Sequence, residues 1–211
     1  MLLSIEKRFI FVHIPKTAGQ SITQALGPYA VRPQKTQWRR LLSHLPVPEN
    51  PERAWLRTHD TARWIRRKLP AEMFDSFHKF AVVRNPYDYA ASYYLYLQRN
   101  PTSRRHEDAR KWSFLDFLRY MDSKDRRSGI TQTNWTSDAE GRLLLNQLLR
   151  FEELPEAFPR LLSKLGIEES VPLPHVNRTE RGSYREMYGA PERALADRIF
   201  RRDLDLHGYE F

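Results

Sequence analysis

A lysine, two hydroxyl side chains and a glycine lie between a predicted strand and a predicted helix near the start of the chain. Phe9 to Ile14 is an apolar run of strand length, and Pro15 ends it. Apolar residues then recur at helical spacing up to Leu26. Between these two patterns lie Lys16, Thr17, Ala18, Gly19, Gln20 and Ser21. Since a helix start presents N–H groups and the positive end of its dipole, the segment suits a phosphate-like anion, although an ordinary connection has the same spacing.

An arginine stands where a second short strand ends. Phe80 to Val83 is the predicted strand, Arg84 follows it, and Asn85-Pro86 turns the chain into a helix that carries Ser92. Ligands of open α/β sheets lie at the carboxyl ends of strands, so both polar segments are expected at one edge of the sheet. A guanidinium at this place can bind a phosphate in a bidentate manner, and it would repel Mg²⁺.

Both segments differ from the pattern of metal-dependent nucleotide kinases. The Walker motif places a lysine directly after a glycine, whereas here Lys16 precedes Gly19 and no Gly-Lys pair occurs in the segment. Such enzymes also need an acidic metal ligand at the end of a second strand, where this chain has Arg84. A kinase is therefore the second interpretation of the same strand–loop–helix start.

The two segments resemble the sequence signatures of sulfotransferases that use 3′-phosphoadenosine 5′-phosphosulfate (PAPS), especially the carbohydrate O-sulfotransferases. The run from His13 to Ser21, His-Ile-Pro-Lys-Thr-Ala-Gly-Gln-Ser, is similar to His-x-Pro-Lys-Thr-Ala-Gly-Thr-Ser, with Gln20 in place of a Thr or Ser. The run from Arg84 to Tyr94 is similar to Arg-x-Pro-x-Asp-Arg-x-x-Ser-x-Tyr, with Tyr89 in place of the second Arg. The resemblance extends from Phe9 to Phe211, except over residues 28–56 and 99–142, where acceptor specificity is expected.

The resemblance implies two catalytic residues and no metal. Lys16 would neutralise the oxygen that bridges phosphorus and sulfur in PAPS. A helix is predicted to begin near Thr61, with Thr61 or Asp60 as its cap. His59, just before this helix, would take the proton of the acceptor hydroxyl, although a lone histidine is more often structural. Arg57-Thr58 stands where the family commonly has a glycine.

The resemblance also implies which residues bind the co-substrate. The 5′ end of PAPS would lie on the loop and helix start from Lys16 to Ser21, through Lys16, Thr17, Ala18, Gly19, Gln20 and Ser21. Its 3′-phosphate would bind Arg84 and Ser92. A polar loop over residues 172–182 is expected to close over the nucleotide, with Arg178 and Arg181 as further phosphate-binding candidates.

Composition narrows the class of protein without choosing a partner. The net charge of +9 favours anionic ligands, so a non-catalytic binder of nucleic acid or acidic polysaccharide is a third interpretation. The chain has 0 cysteines, which excludes disulfides and thiolate catalysis. The absence of a signal peptide or an apolar run of membrane-spanning length favours a cytoplasmic protein. The chain length favours one domain over residues 1–211.

The order of elements predicts an α/β fold of the P-loop-like, three-layer type, with a central, mostly parallel sheet flanked by helices. Ser113 and Asp116 have the spacing of a capping box, so a helix is expected after Ser113. Another helix is expected around Leu154 to Leu165, with a strand in Leu143 to Phe151 before it. Asp122 to Gly141 is polar and poorly periodic, which predicts a loop or lid. Trp112 and Trp135, in the stretch 99–142 that the family resemblance does not cover, are candidates for stacking on a sugar. A last helix is predicted to begin at Pro191.

Overall fold

The computed structural model describes residues 1–32, 36–128, 130–168, 171–174 and 182–211, with backbone alone for residues 39 and 125–128. Within these residues, the strands are β1 Leu2–Ser4, β2 Phe9–Val12, β3 His78–Val83 and β4 Gln147–Arg150. The helices are α1 Gly19–Leu26, α2 Gln37–Leu42, α3 Ala62–Lys68, α4 Ala71–Ser76, α5 Pro86–Arg99, α6 His106–Ala109, α7 Phe114–Ser128, α8 Gln132–Thr136, α9 Leu154–Lys164, α10 Ala190–Ile199 and α11 Arg201–His207. Short 3₁₀ turns cover Gly27–Tyr29, Phe151–Glu153 and Tyr184–Met187.

In the described part of the chain, the strands form one sheet in the order β1-β2-β3-β4. β1 runs antiparallel to β2, while β2, β3 and β4 are parallel, with Phe11 opposite Phe80 and Ala81 opposite Leu148. The expected mixed α/β fold with a mostly parallel, helix-flanked sheet is therefore confirmed. β1 was not predicted from the sequence, because three residues are too few for a periodic signal.

Contacts between Cα atoms group the chain into two compact units. The first unit comprises Met1–Val83 and Asn134–Val176, and the second comprises Arg84–Thr133 and Asn177–Phe211. The expectation of a single domain over residues 1–211 stays a prediction. No helix among the described residues combines the length and the apolar character that crossing a lipid bilayer requires.

The core of the first unit is the apolar face shared by the sheet, α1 and α9. Phe9, Phe11 and Phe80 are fully buried, and Phe11 and Phe80 stack across the parallel pair with ring centroids 5.2 Å apart. The predicted apolar face of α1 and the predicted helix α9 both pack against these rings. α9 ends before Gly166, whose left-handed backbone (φ 63°) closes the helix as expected. This packing fixes the strand end from which the first polar loop leaves.

A buried lysine anchors α2 and the turn that follows it to the end of α3. Lys68, at the end of α3, is fully buried and forms an ion pair with Glu49. Its ammonium also donates hydrogen bonds to the carbonyls of Leu42 (2.8 Å) and Leu45 (3.2 Å). A buried charge is tolerated only when it is paired and hydrogen-bonded, so these contacts hold α2 and the following turn in one place.

The core of the second unit is an aromatic cluster on α5, α7 and α10. Tyr89 and Phe117 are buried, and Tyr94 packs on Phe117 at 5.4 Å. The predicted capping box is present, because Ser113 Oγ accepts from the N–H of Asp116 while the Asp116 carboxylate accepts from the N–H of Ser113. This pair starts α7 at the predicted residue.

Two predictions in the second half of the chain are wrong in part. Asp122 to Gly141 is not one loop, since α7 continues to Ser128 and α8 follows at Gln132. The polar composition gave these turns no apolar period, and α8 is shorter than any window that reveals one. The last predicted helix is two helices, α10 and α11, which separate at the buried Phe200.

Candidate active site

The loop between β2 and α1 holds two residues in a conformation that is rare outside glycine. Lys16 has φ 64° and Ala18 has φ 60°, whereas Thr17 between them is not left-handed. Non-glycine residues in this region are strained and occur preferentially at functional sites. Where left-handed and right-handed residues alternate, successive backbone N–H groups turn toward one side, so this loop is a candidate concave site for an anion.

The start of α1 reinforces this anion site. Ala18 is the N-cap residue, no side chain caps the helix start, and no acidic residue occurs in the first turn. The partial positive charge of the dipole is therefore not opposed by a carboxylate on the first turn. Lys16 is half-buried, Gln20 is exposed and Ser21 is buried. The sequence-predicted loop residues thus lie together at one helix start.

One predicted contact in this loop has a different geometry from the one expected. Thr17 is fully buried, and its hydroxyl donates a hydrogen bond to the carbonyl of Ile14 at 2.9 Å. That bond closes the loop onto the end of the strand. Since a hydroxyl has a single hydrogen, Thr17 in this conformation can offer an anion its backbone N–H but not its O–H.

Gly19 lies directly on the imidazole of His13. A Cβ atom placed on Gly19 would lie 1.8 Å from both Cδ2 and Nε2 of His13, so no larger residue fits there. The His13 ring also stacks on Phe11, with centroids 5.7 Å apart. His13 is 5% exposed, and burial lowers its pKa to about 3, so the ring is neutral beneath the loop.

His13 connects the loop to His59. The ring centroids of the two histidines are 4.6 Å apart, and Nδ1 of His59 lies 3.0 Å from the carbonyl oxygen of His13. Because a carbonyl can only accept, Nδ1 carries the hydrogen and Nε2 carries the lone pair. Partial desolvation of the ring lowers the pKa of His59, while the hydrogen bond to the His13 carbonyl opposes that shift in part. His59 is therefore oriented and unprotonated as a general base requires.

A short turn presents His59 to solvent. Asp60 is buried, and its two carboxylate oxygens accept from the backbone N–H and from Nε of Arg57, each at 2.8 Å. Thr61 caps α3, accepting from the N–H of Trp64. The predicted cap is thus confirmed for Thr61, while Asp60 holds the turn itself. The His59 residue remains accessible, and its ring and the indole of Trp135 form a T-shaped pair with centroids 6.0 Å apart.

In the second unit, Arg84 and Ser92 are associated with the first turns of α5. Nε and Nη2 of Arg84 donate to Oδ2 of Asp88 at 2.7 and 2.6 Å, and both side chains are mostly buried. Asp88 and Ser92 are four residues apart on α5 and therefore share a face of the helix. Asn85 caps α5 through the N–H of Tyr87. The guanidinium is thereby held at the start of a helix.

Other predicted positions have mixed outcomes. Arg178 and Arg181 lie outside the described residues, so their predicted role is unchanged. Trp112 packs on Tyr120 with centroids 4.9 Å apart, in the aromatic cluster of the second unit. Trp135 contacts His59 instead. The support that His13 gives to the loop was not predicted, because the family signature includes this histidine but does not indicate which groups it contacts.

The chain belongs to the sulfotransferase family, whose family model matches residues 1–210. Among solved structures it is similar to mouse sulfotransferase SULT7A1 complexed with PAP, with 15% sequence identity and a TM-score of 0.56. That match covers 96% of this chain and 86% of the mouse protein, and it supports the fold. A search of curated protein sequences gives no match. Family membership argues against the kinase and polymer-binder interpretations.

Replacing Gly19 by Ala tests the contact between the loop and His13. We expect Gly19→Ala to lower the melting temperature and to abolish binding of adenosine 3′,5′-bisphosphate, because the new methyl group must displace the imidazole. Gly27→Ala is the matched control, since Gly27 has helical backbone and no described atom outside its own helix lies within 4 Å of the added Cβ. A Gly19→Ala chain with the melting temperature and nucleotide affinity of the unmodified protein would contradict the contact.

Proposed function

We propose that this chain transfers a sulfuryl group from PAPS to the hydroxyl group of a carbohydrate. The observation that carries the proposal is one connected arrangement in the first unit. The strained loop from Lys16 to Ala18 offers an anion site, and His13 beneath it accepts the hydrogen bond that orients His59. Family membership and the PAP complex of the mouse relative support the choice of co-substrate.

In this proposal the reaction is an in-line displacement at sulfur. The acceptor oxygen forms a bond to sulfur as the bond from sulfur to the bridging phosphate oxygen breaks, and adenosine 3′,5′-bisphosphate leaves. Lys16 and the loop N–H groups would neutralise the charge on the leaving oxygen, which is the largest electrostatic demand of the step. Nε2 of His59 would receive the acceptor's proton. Side chains and backbone N–H groups thus stabilise the negative charge on the leaving oxygen, and the proposal includes no metal.

The two ends of the nucleotide would bind different residues. The loop N–H groups together with Ser21 would hold the 5′-phosphate at the start of α1. Arg84 and Ser92 would hold the 3′-phosphate. A guanidinium has several N–H donors arranged around a plane, so Arg84 can bind Asp88 and a phosphate oxygen together. Arg178 and Arg181 remain candidates for further phosphate contacts.

Carbohydrate is the proposed acceptor because of the aromatic ring beside the base. Trp135 is half-buried and its indole is roughly perpendicular to the His59 ring, so a sugar on the indole would lie close to the imidazole. Aromatic side chains offer such a flat apolar surface together with a polar edge. A cytoplasmic location is also proposed, and it is supported by the complete absence of cysteine.

Replacing Lys16 separates catalysis from binding. We expect Lys16→Ala to reduce the turnover of PAPS by about 100- to 1,000-fold, because charge on the leaving oxygen develops only in the transition state. Affinity for PAPS itself, whose bridging oxygen does not yet carry this charge, should fall by less than about tenfold, as the loop N–H groups remain. Lys164→Ala, at an exposed site on α9, is the control. Near-normal turnover by Lys16→Ala would refute the assigned role.

The pH dependence of turnover tests His59. Because its pKa is lowered from the ordinary 6.5, the neutral base persists on acidification, and activity should decline only below that pH. His59→Ala should lose about 100- to 10,000-fold in turnover together with this acidic limb. His106→Ala is a matched control, since Nδ1 of His106 also contacts a backbone carbonyl, that of Leu97 at 3.0 Å. An acidic limb that survives in His59→Ala would transfer the base role to another group.

A further inference from the structure

A buried glutamine holds the backbone of Arg84 in the second unit. Gln132 is fully buried, and its Oε1 accepts from the N–H of Arg84 at 2.8 Å. Its Nε2 donates to the carbonyl of the same residue at 2.7 Å. One side-chain amide therefore satisfies both backbone groups of Arg84, as a neighbouring strand would. Val83, the residue before Arg84, is the last residue of β3 that pairs with β4.

A carboxylate on α11 fixes this glutamine in turn. Asp203 is fully buried, and its Oδ2 accepts from the N–H of Gln132 at 2.8 Å. Its Oδ1 accepts from both the N–H and the hydroxyl of Thr133, at 2.7 and 2.6 Å. These N–H groups open α8, so Asp203 acts as a distant cap for that helix. The hydrogen bonds thus form a continuous chain from α11 through α8 to Arg84.

The hydrogen bonds of this network explain why position 132 requires an amide side chain. Only a side chain that both donates and accepts can bind the N–H and the carbonyl of one residue together. An ionised glutamate would set an acceptor oxygen, in place of the Nε2 donor, against the Arg84 carbonyl. A methionine would leave both backbone groups of Arg84 without this partner. Because the network is buried, loss of one member leaves polar groups that water cannot easily satisfy.

We propose that Gln132, held by Asp203, is a positioning residue that sets where the Arg84 guanidinium meets the 3′-phosphate of the nucleotide. This proposal rests on the proposed function of Arg84. The backbone of Arg84 is fixed by Gln132 and its guanidinium by Asp88, so the side chain is constrained at both ends. A preorganised arginine loses less side-chain conformational entropy when it binds a phosphate.

The test compares the unmodified chain with Gln132→Met and with the control Gln98→Met. Gln98 lies on α5, where Nε2 of its amide donates a long hydrogen bond to the carbonyl of Ala109 at 3.4 Å. Calorimetry gives the affinity of each protein for adenosine 3′,5′-bisphosphate and for adenosine 5′-phosphate. We expect Gln132→Met to weaken binding of the bisphosphate, so that the preference for it over adenosine 5′-phosphate falls by about tenfold. Affinity for adenosine 5′-phosphate should change by less than about twofold. Gln98→Met should leave both values unchanged.

Gln132→Glu provides a readout that a purely structural role would not move. Near pH 7 the new carboxylate is ionised and cannot donate, so the preference for the bisphosphate should fall as in Gln132→Met. Because burial raises the pKa of a carboxyl above its ordinary value of about 4.3, this group becomes protonated toward about pH 5 and can again donate and accept. The preference, expressed relative to the unmodified chain at the same pH, should then recover.

The outcomes distinguish this proposal from the proposed function. If the unmodified chain does not prefer the bisphosphate, the assigned role of Arg84 fails. If it does, an unchanged ratio in a folded Gln132→Met chain, or an equal loss of affinity for both nucleotides, overturns the role of Gln132. Should neither variant fold, hydrogen exchange on the unmodified chain decides, because slow exchange of the Arg84 amide supports the contact and fast exchange overturns it.

Discussion

The close approach of Gly19 to the imidazole of His13 is the contact on which the candidate site depends. With no Cβ at Gly19, α1 can begin against the ring, and the loop before it adopts the two left-handed residues that make an anion site. The same histidine presents its backbone carbonyl to Nδ1 of His59. One residue at the end of a buried strand therefore supports both the anion loop and the candidate base.

Burial has a useful electrostatic consequence at this place. A protonated imidazole under the loop would add a buried positive charge, and a protonated His59 could not accept a proton. Burial lowers the pKa of both rings, so the two histidines stay neutral while Lys16 and the helix dipole supply the positive charge. In the proposed mechanism, the positive charge that binds the anion and the lone pair that takes the acceptor's proton therefore belong to different neighbouring groups.

Local sequence signals predicted the elements whose information lies within one short window. The strand before Pro15, the helix face of α1, the Thr61 cap and the Ser113 capping box were all found in this way. Resemblance to the sulfotransferases, confirmed by the family match, selected the candidate residues within those elements.

The structural features that were missed depend on contacts between distant residues. Gln132 reaches Arg84 across 48 positions, and Asp203 reaches Gln132 across 71. Neither residue type is unusual in a polar segment, so no local pattern indicates either contact. β1 is likewise defined by its antiparallel partner β2 and not by its own three residues. The support for a site is therefore harder to predict than the residues that it positions.

A crystal structure of the chain with adenosine 3′,5′-bisphosphate tests the central claim most directly. The account predicts that the 5′-phosphate lies within hydrogen-bond distance of the N–H groups between Thr17 and Ser21, with the 3′-phosphate on the guanidinium of Arg84. A nucleotide whose 5′-phosphate avoids the loop, or whose 3′-phosphate has no contact with Arg84, would contradict it.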